Sequence, residues 1–525
     1  MKSIDEFLQA QNNRMENLYK PVLFNHWMAK TTGEKEWGLK HEKALGEYFA
    51  NFADTEAYNQ VKAYRGIPNL TLHQSRQLDD LYNKMVKNQL DKEDSKKTLE
   101  LESEISAVFN TYRPIFEGKK VANNDLLNIL KNSTDENQRK EAWLASKQVG
   151  KEIEKNLLKL VHKRNEDARQ LGFENYFELS FHTQELDLKT VFDIFQQLKE
   201  LSDEPFRKIK TEIDRERSEE LDISQENLRP WHYVDPFFQE APSVSGADLD
   251  SFYKDKNLEQ IAVSTFKSMG LDISDILEKS DLYPRENKNP FGFCTNVDRK
   301  GDVRILVNLD ESSFWTTALL HEFGHAVYFK YIKRELPFIL RFHSHSLTTE
   351  AIALFFGRMT KTLTWQKRFL GVEDEKQDTL APAINKMLQR QMLVAARWII
   401  TFSFFEKALY EDPDQDLNQM WWKLVKEIQY INPPEETSYP DWAAKMHFSL
   451  APASYQDYLL GELTASQLEH FISSNISTDL FTPAVGDYLK DNFFSDGAML
   501  HWNDKILKAT GERLNPSYFV KEFIG

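Results

Sequence analysis

Residues 316–332 read TTALLHEFGHAVYFKYI, an apolar run that carries two histidines and a glutamate. His321 and His325 stand four residues apart, so in a helix both imidazoles lie on one face, where they can share a zinc ion. Glu322 lies beside the first histidine, where a carboxylate can act as general base toward a water that zinc acidifies. The apolar flanks are typical of a buried catalytic helix, and we prefer this reading to two histidines packed in a core.

The third ligand decides the class of metal site. The long HExxHxxGxxH motif is excluded, because tyrosines stand where its glycine and last histidine would be. Glu350 follows residues 347–349, which can cap a helix, and precedes the apolar run 351–356. A charge that enters such a helix needs a partner, and zinc supplies one. Glu335 is nearer in sequence but lies in a charged run, so we predict Glu350 as the third ligand. The intervening residues 343–345, His-Ser-His, are interpreted as a solvent-facing loop.

Composition excludes several classes of protein. The 525 residues include one cysteine, Cys294, so a disulfide framework and a thiolate-rich zinc cluster are both excluded. A net charge of −16 argues against nucleic-acid binding. No window approaches the roughly 18 apolar residues of a membrane helix, and the N-terminus does not resemble a signal peptide. We expect a soluble protein, cytoplasmic as the sequence stands, or periplasmic or secreted if a signal peptide was trimmed.

The rest of the chain is predicted to be helical, with one exception. Apolar residues recur three and four apart, and a helix is predicted over residues 138–170 with Gly172 at its end. Residues 291–297 and 303–309 are β-branched and aromatic runs around a charged turn, which predicts a hairpin. A strand beside a metal site can pair with an extended peptide. No linker is visible, so residues 1–525 are predicted to form a single peptidase domain, with two interleaved helical lobes as the alternative.

The metal-site segment resembles the angiotensin-converting-enzyme family of peptidyl-dipeptidases and, more distantly, the thimet-oligopeptidase family. HEFGH is followed in the same order by Tyr-Phe at 328–329, Leu-Pro at 336–337 and Thr-Glu-Ala-Ile at 349–352. Further similar segments are QMWW at 419–422, PP at 433–434, AKMH at 444–447, YQDY at 455–458, and, upstream, EAW at 141–143 and NEDAR at 165–169. The resemblance extends over about residues 138–468.

The resemblance implies a mainly α, two-lobed metallopeptidase with a deep central cleft and a small β-sheet beside the zinc-binding helix. It implies one Zn²⁺ per chain and Glu322 as the residue that activates water. The zinc ligands would be His321, His325 and Glu350. The residues that stabilise the oxyanion would be His447 and Tyr458, and the residues that bind the substrate's C-terminal carboxylate would be Lys445 and Tyr455. The strand that pairs with the substrate would be Cys294, Thr295 and Asn296.

The sequence departs from the family pattern at several positions. One extra residue separates His447 from the tyrosine pair. Asp457 replaces an arginine of the chloride-activated members, which argues against chloride dependence. Leu354 replaces an aspartate that supports a zinc histidine. A histidine is missing around Phe293, and a glutamine near Trp231 is replaced, with Tyr233 as the candidate substitute.

The predicted function is hydrolysis of short peptides with release of C-terminal dipeptides. One alternative is an oligoendopeptidase that is indifferent to the substrate's C-terminus. An alternative of another class is a zinc-bound peptide-binding module without catalysis. The expected partners are short peptides, with no nucleic acid and no membrane span, and the sequence leaves the oligomeric state open.

Overall fold

The computed structural model describes residues 3–246 and 249–524, most of which are helical. The chain forms two compact units. Unit 1 comprises Met1–Gln89, Gly246–Pro382 and Leu460–Phe519, and unit 2 comprises Leu90–Ser245, Ala383–Leu459 and Val520–Gly525. The predicted mainly α class with a small sheet is confirmed.

The helices and strands follow one another along the chain with short connections. In the first half they are α1 Ile4–Thr32, α2 Lys35–Ala50, α3 Thr55–Arg65, α4 Leu72–Val86, α5 Lys92–Thr111, β1 Ile115–Phe116, β2 Lys119–Lys120, α6 Asn123–Asn132, α7 Glu136–Gln170, α8 Tyr176–Thr183 and α9 Leu188–Leu221. In the second half they are α10 Leu258–Ser268, α11 Ser274–Leu277, β3 Phe293–Asn296, β4 Val303–Leu306, α12 Ser313–Lys330, α13 Ser346–Met359, α14 Leu363–Trp365, α15 Asp374–Glu411, α16 Leu417–Leu424, α17 His447–Leu450, α18 Gln456–Asn475, α19 Pro483–Leu489, α20 Trp502–Thr510 and α21 Ser517–Ile524.

Helix α7 shows how local sequence signals set helix boundaries in unit 2. The Asp135 side chain accepts a hydrogen bond from the Gln138 main-chain N–H, which satisfies one of the free donors at the helix start. Gly172, two residues beyond the end, has a φ of 91°, a conformation that glycine adopts without steric cost. The helix predicted for residues 138–170 is therefore confirmed.

The strands form two separate antiparallel hairpins. Strands β1 and β2 pair through two residues each in unit 2. Strands β3 and β4 pair through four residues each in unit 1, which confirms the hairpin predicted before the HEFGH helix.

Helix α12 is apolar around most of its circumference, which is the pattern of a buried helix. Its buried residues include Leu319, Leu320, Phe323, Ala326 and Val327. Ser312 caps its start by accepting a hydrogen bond from the Trp315 main-chain N–H. Among the helices that the structure describes, none is long and apolar enough to cross a membrane.

Candidate functional site

Helices α12 and α13 bring two histidines and a glutamate together in unit 1. His321 Nε2 lies 3.7 Å from Glu350 Oε2, and His325 Nε2 lies 3.6 Å from Glu350 Oε1. Their possible ligand atoms all lie within 4.8 Å of one another, and no other such group of three is found among the described residues. Donors around a tetrahedral zinc with bonds of about 2.1 Å are separated by roughly 3.4 Å. The three side chains therefore fit a metal ion of that kind.

Glycines allow α12 and α13 to approach closely enough for Glu350 to reach the two histidines. A Cβ atom built on Gly324 would lie only 2.7 Å from the Ala353 Cα atom. Ala353 lies three residues after Glu350 and so shares its face of α13. A Cβ on Gly357 would lie 3.5 Å from the Cβ of His321, so the helices are also in contact beside the first histidine. Close backbone packing sets the reach of Glu350 toward the histidines.

The start of α13 differs from the prediction. The helix begins at Ser346, and the His345 side chain caps it by accepting a hydrogen bond from the Leu347 N–H at 3.1 Å. Residues 347–349 therefore lie inside the helix, and their prediction as its cap is wrong. The solvent-facing interpretation of residues 343–345 is also wrong, since His345 is 7% exposed and the Nδ1 atom of His343 is buried. The cap and the burial of the histidines fix residues 343–345 within unit 1.

Burial governs the charge state of the site. It lowers the pKa of His321 to about 4 and that of His325 well below its ordinary value, so both imidazoles are neutral, as metal ligands must be. Burial also raises the pKa of Glu322 to about 8, and the nearby Glu350 carboxylate adds to this rise. A Cβ on Gly292 would lie 3.5 Å from Glu322 Oε1, so the backbone just before β3 passes beside this carboxylate.

Strand β3 has an edge that pairs with no other strand of the described chain. The Val297 N–H donates to the Asp302 carbonyl at 2.8 Å, and in this register Cys294 stands opposite Ile305 and Asn296 opposite Val303. Hydrogen-bonded and non-bonded pairs alternate along an antiparallel ladder. The main-chain groups of Thr295 thus face β4, whereas those of Cys294 and Asn296 face away from it.

The opposite side of the hairpin shows the same alternation. The Ile305 N–H donates to Ser280 Oγ at 3.0 Å, and its carbonyl accepts from the Asp281 N–H at 2.9 Å. The outer edge of β4 is therefore occupied by residues 280–281. The main-chain groups of Cys294 and Asn296 bond to no described residue outside the hairpin. Burial and the Glu322 charge raise the pKa of the Cys294 thiol well above its ordinary value, so this side chain is uncharged.

The other four predicted site residues form a cluster within unit 2. The ring of Tyr455 lies 4.9 Å from that of His447 and 5.4 Å from that of Tyr458, measured between centroids. The Lys445 ammonium lies 5.4 Å from the Tyr455 ring centroid. Tyr458 is 51% exposed, whereas the Tyr455 hydroxyl accepts a hydrogen bond from the Trp398 indole at 2.9 Å. Burial and then the Lys445 charge lower the pKa of His447 to about 4, so its imidazole is neutral.

A glutamine that the sequence reasoning missed belongs to this cluster. Gln239 Oε1 accepts a hydrogen bond from Lys445 Nζ at 2.7 Å. Tyr233, the substitute predicted for the family's glutamine, is not available, because its buried hydroxyl bonds to Lys210 and Asp214. Gln239 lies in an irregular segment 206 residues before Lys445, where no periodicity places a side chain. The sequence offered one signal for Gln239, namely that it is a glutamine that follows shortly after Trp231.

Two departures from the family pattern have visible structural counterparts. The Phe293 ring packs against His26 and Trp27 of α1, with centroid distances of 5.4 and 6.0 Å. The second departure is Leu354, which replaces an aspartate that would support a histidine. Here His325 Nδ1 instead lies 2.7 Å from the Thr349 hydroxyl.

Comparison with known proteins bears on the first part of the chain. The family model described as angiotensin-converting enzyme, peptidase family M2, matches residues 1–235. The resemblance to the angiotensin-converting-enzyme family is confirmed. The match to this family implies a peptidase. No curated protein matches the chain.

The matched residues end before the HEFGH helix and before the Lys445–Tyr458 cluster. The similarity to the angiotensin-converting-enzyme family and the geometry of the candidate site are therefore separate observations. They come from different parts of the chain.

Proposed function

We propose that the protein is a zinc-dependent peptidase that releases dipeptides from the C-terminus of short peptides. The observation that carries the proposal is the convergence of His321, His325 and Glu350 beside the buried carboxylate of Glu322. These three residues would hold one zinc ion, which would polarise the scissile carbonyl and acidify the attacking water. The Glu322 carboxylate adjoins the first of the two histidines, where it can accept a proton and later donate it.

Glu322 is assigned the proton transfers of the reaction. As general base it removes a proton from the attacking water, and as general acid it delivers that proton to the departing amine. Water thereby adds across the amide bond, and the products are a shortened peptide and a dipeptide. The backbone at Gly292 lies beside this carboxylate.

The free edge of β3 is assigned to the substrate backbone. Cys294 and Asn296 present main-chain donors and acceptors away from β4, in the spacing of two residues that an added antiparallel strand requires. Thr295 between them belongs to the hairpin's own ladder. Binding through the main chain leaves the substrate's side chains free to vary, which suits a peptidase that acts on many sequences.

The cluster in unit 2 is assigned to the oxyanion and to the substrate's terminal carboxylate. His447 and Tyr458 would donate hydrogen bonds to the oxyanion of the tetrahedral intermediate, and preorganised donors of this kind are worth about 3–4 kcal/mol. Lys445 and Tyr455 would bind the carboxylate. Gln239, which shares a hydrogen bond with Lys445, is added to them. These roles rest on the family resemblance and on the clustering of the residues.

The test is mass spectrometry of one mixed-sequence peptide, supplied as the free acid and as the C-terminal amide. We expect chelator-sensitive release of C-terminal dipeptides from the free acid alone. Glu322→Gln should keep its zinc and lose nearly all turnover, and the exposed Glu335→Gln serves as the matched control. Internal cleavage of both forms would identify an oligoendopeptidase instead. Zinc binding without cleavage of either form would favour the peptide-binding module.

A further inference from the structure

The imidazole of His325 is held at both of its nitrogens. Its Nε2 atom faces Glu350 at 3.6 Å, on the side where the three candidate ligands converge. Its Nδ1 atom lies 2.7 Å from Thr349 Oγ1, and Thr349 is 5% exposed. Water therefore has little access to this contact, and the hydroxyl is well placed to fix the plane of the ring.

His321 lacks an equivalent support. No hydrogen bond from either of its ring nitrogens to a described residue is present, apart from the approach to Glu350. Its position is set by packing, with Gly357 of α13 beside its Cβ. Of the two histidines, His325 is thus the one whose ring orientation depends on a hydrogen bond.

The chemistry of a bound imidazole explains what Thr349 supplies. When Nε2 binds a metal, the ring proton resides on Nδ1 and needs an acceptor. The Thr349 hydroxyl oxygen can accept it, and the Thr349 backbone also interacts with this ring. A hydroxyl is a neutral acceptor, so it orients the ring without adding a second negative charge beside Glu350.

We infer that the Thr349 hydroxyl is a positioning group for His325: it accepts the Nδ1 proton when Nε2 binds a divalent metal, holds the ring plane, and so strengthens the binding of that metal by His321, His325 and Glu350. The inference rests on the proposed metal site and assigns a role that lies outside the ligands and the general base. It concerns metal affinity, which can be measured without any peptide.

The experiment compares zinc affinities of the full-length protein by competition with a chelating indicator at fixed pH. Thr349→Val replaces the hydroxyl by a methyl group of similar size and should weaken zinc binding about 10- to 100-fold, as outer-shell substitutions do. Thr349→Ser restores the hydroxyl and should remain within a few-fold of the wild type. The matched control is Thr348→Val, since the neighbouring Thr348 hydroxyl donates to the His345 carbonyl at 2.7 Å and does not contact His325.

An unchanged affinity of Thr349→Val would overturn the inference, because the backbone contact would then suffice. Equal losses in Thr349→Ser and Thr349→Val would also overturn it, because a hydroxyl would then not rescue the site. If Thr349→Val does not fold, nitrogen NMR of histidine-labelled wild-type protein with zinc replaces it. A proton on Nδ1 of His325 supports the inference, and a metal bond at Nδ1 overturns it. Zinc binding by the wild type with no effect at Thr349 refutes the inference alone, whereas a wild type that binds no zinc refutes the proposed cofactor as well.

Discussion

Gly324→Ala is the substitution that most directly tests how the fold builds the site. The added Cβ would lie 2.7 Å from the Ala353 Cα atom, a backbone atom that no side-chain rotation can move. An ordinary carbon–carbon contact is about 3.5 Å, so the two helices would have to separate by roughly 0.8 Å at this point. Metal–ligand distances tolerate only about 0.2 Å. We therefore expect Glu350 to be drawn away from the histidines.

The substitution has two opposing effects on stability. Overpacking at a helix contact costs about 1–3 kcal/mol, whereas replacing a glycine inside a helix by alanine contributes about 1 kcal/mol in favour of the helix. The net change in the free energy of unfolding is thus expected to be small, about 0–2 kcal/mol of destabilisation. The loss of zinc affinity, at least about tenfold, should be the larger and more specific effect.

Gly38→Ala in α2 is the control that separates the clash at Gly324 from the general effect of replacing glycine by alanine in a helix. A Cβ atom at Gly38 would meet nothing within 4 Å, so this variant gains the helical preference of alanine without overpacking. Zinc affinity by indicator competition and denaturant unfolding of the metal-free protein are measured for both variants. Gly324→Ala with the zinc affinity and stability of Gly38→Ala would refute the conclusion that close packing of α12 on α13 sets the site.

Three further predictions follow from unit 2. Tyr458→Phe should lower kcat more than it raises KM in steady-state assays, and a change in KM alone would make Tyr458 a binding residue. Gln239→Ala should raise KM for free-acid peptides by weakening the carboxylate site, and a KM equal to that of the wild type would remove Gln239 from it. Burial raises the pKa of Glu406 to about 8, so between about pH 4.5 and pH 8 the folded state binds more protons than the unfolded state. The contribution of Glu406 to the free energy of unfolding should therefore fall as pH rises through that window, by up to about 1.4 kcal/mol per pH unit. In denaturant titrations Glu406→Gln should make the pH dependence of stability less steep than in the wild type, whereas the exposed Glu411→Gln should keep the wild-type slope.

The sequence by itself determined the elements whose signals are local. The HEFGH spacing and the glycine beyond α7 predicted helices correctly because backbone periodicity and helix termination involve residues within a few positions of one another. The β3–β4 hairpin was predictable for the same reason, since its turn and its alternating runs are contiguous. The choice of Glu350 over Glu335 also rested on local sequence, because Glu350 precedes an apolar run whereas Glu335 lies in a charged one.

Only the tertiary structure decided which distant side chains meet. The contact of His325 with Thr349 spans 24 residues, and that of Lys445 with Gln239 spans 206 residues. Such contacts depend on the distance and rotation at which helices pack, and here Gly324 and Gly357 allow the close approach of α12 and α13. The predicted cap of α13 failed because the segment before it is buried, so that a histidine rather than a threonine reaches the free main-chain N–H. Sequence spacing describes each helix alone, whereas packing between helices places the ligands, their supports and the residues around them.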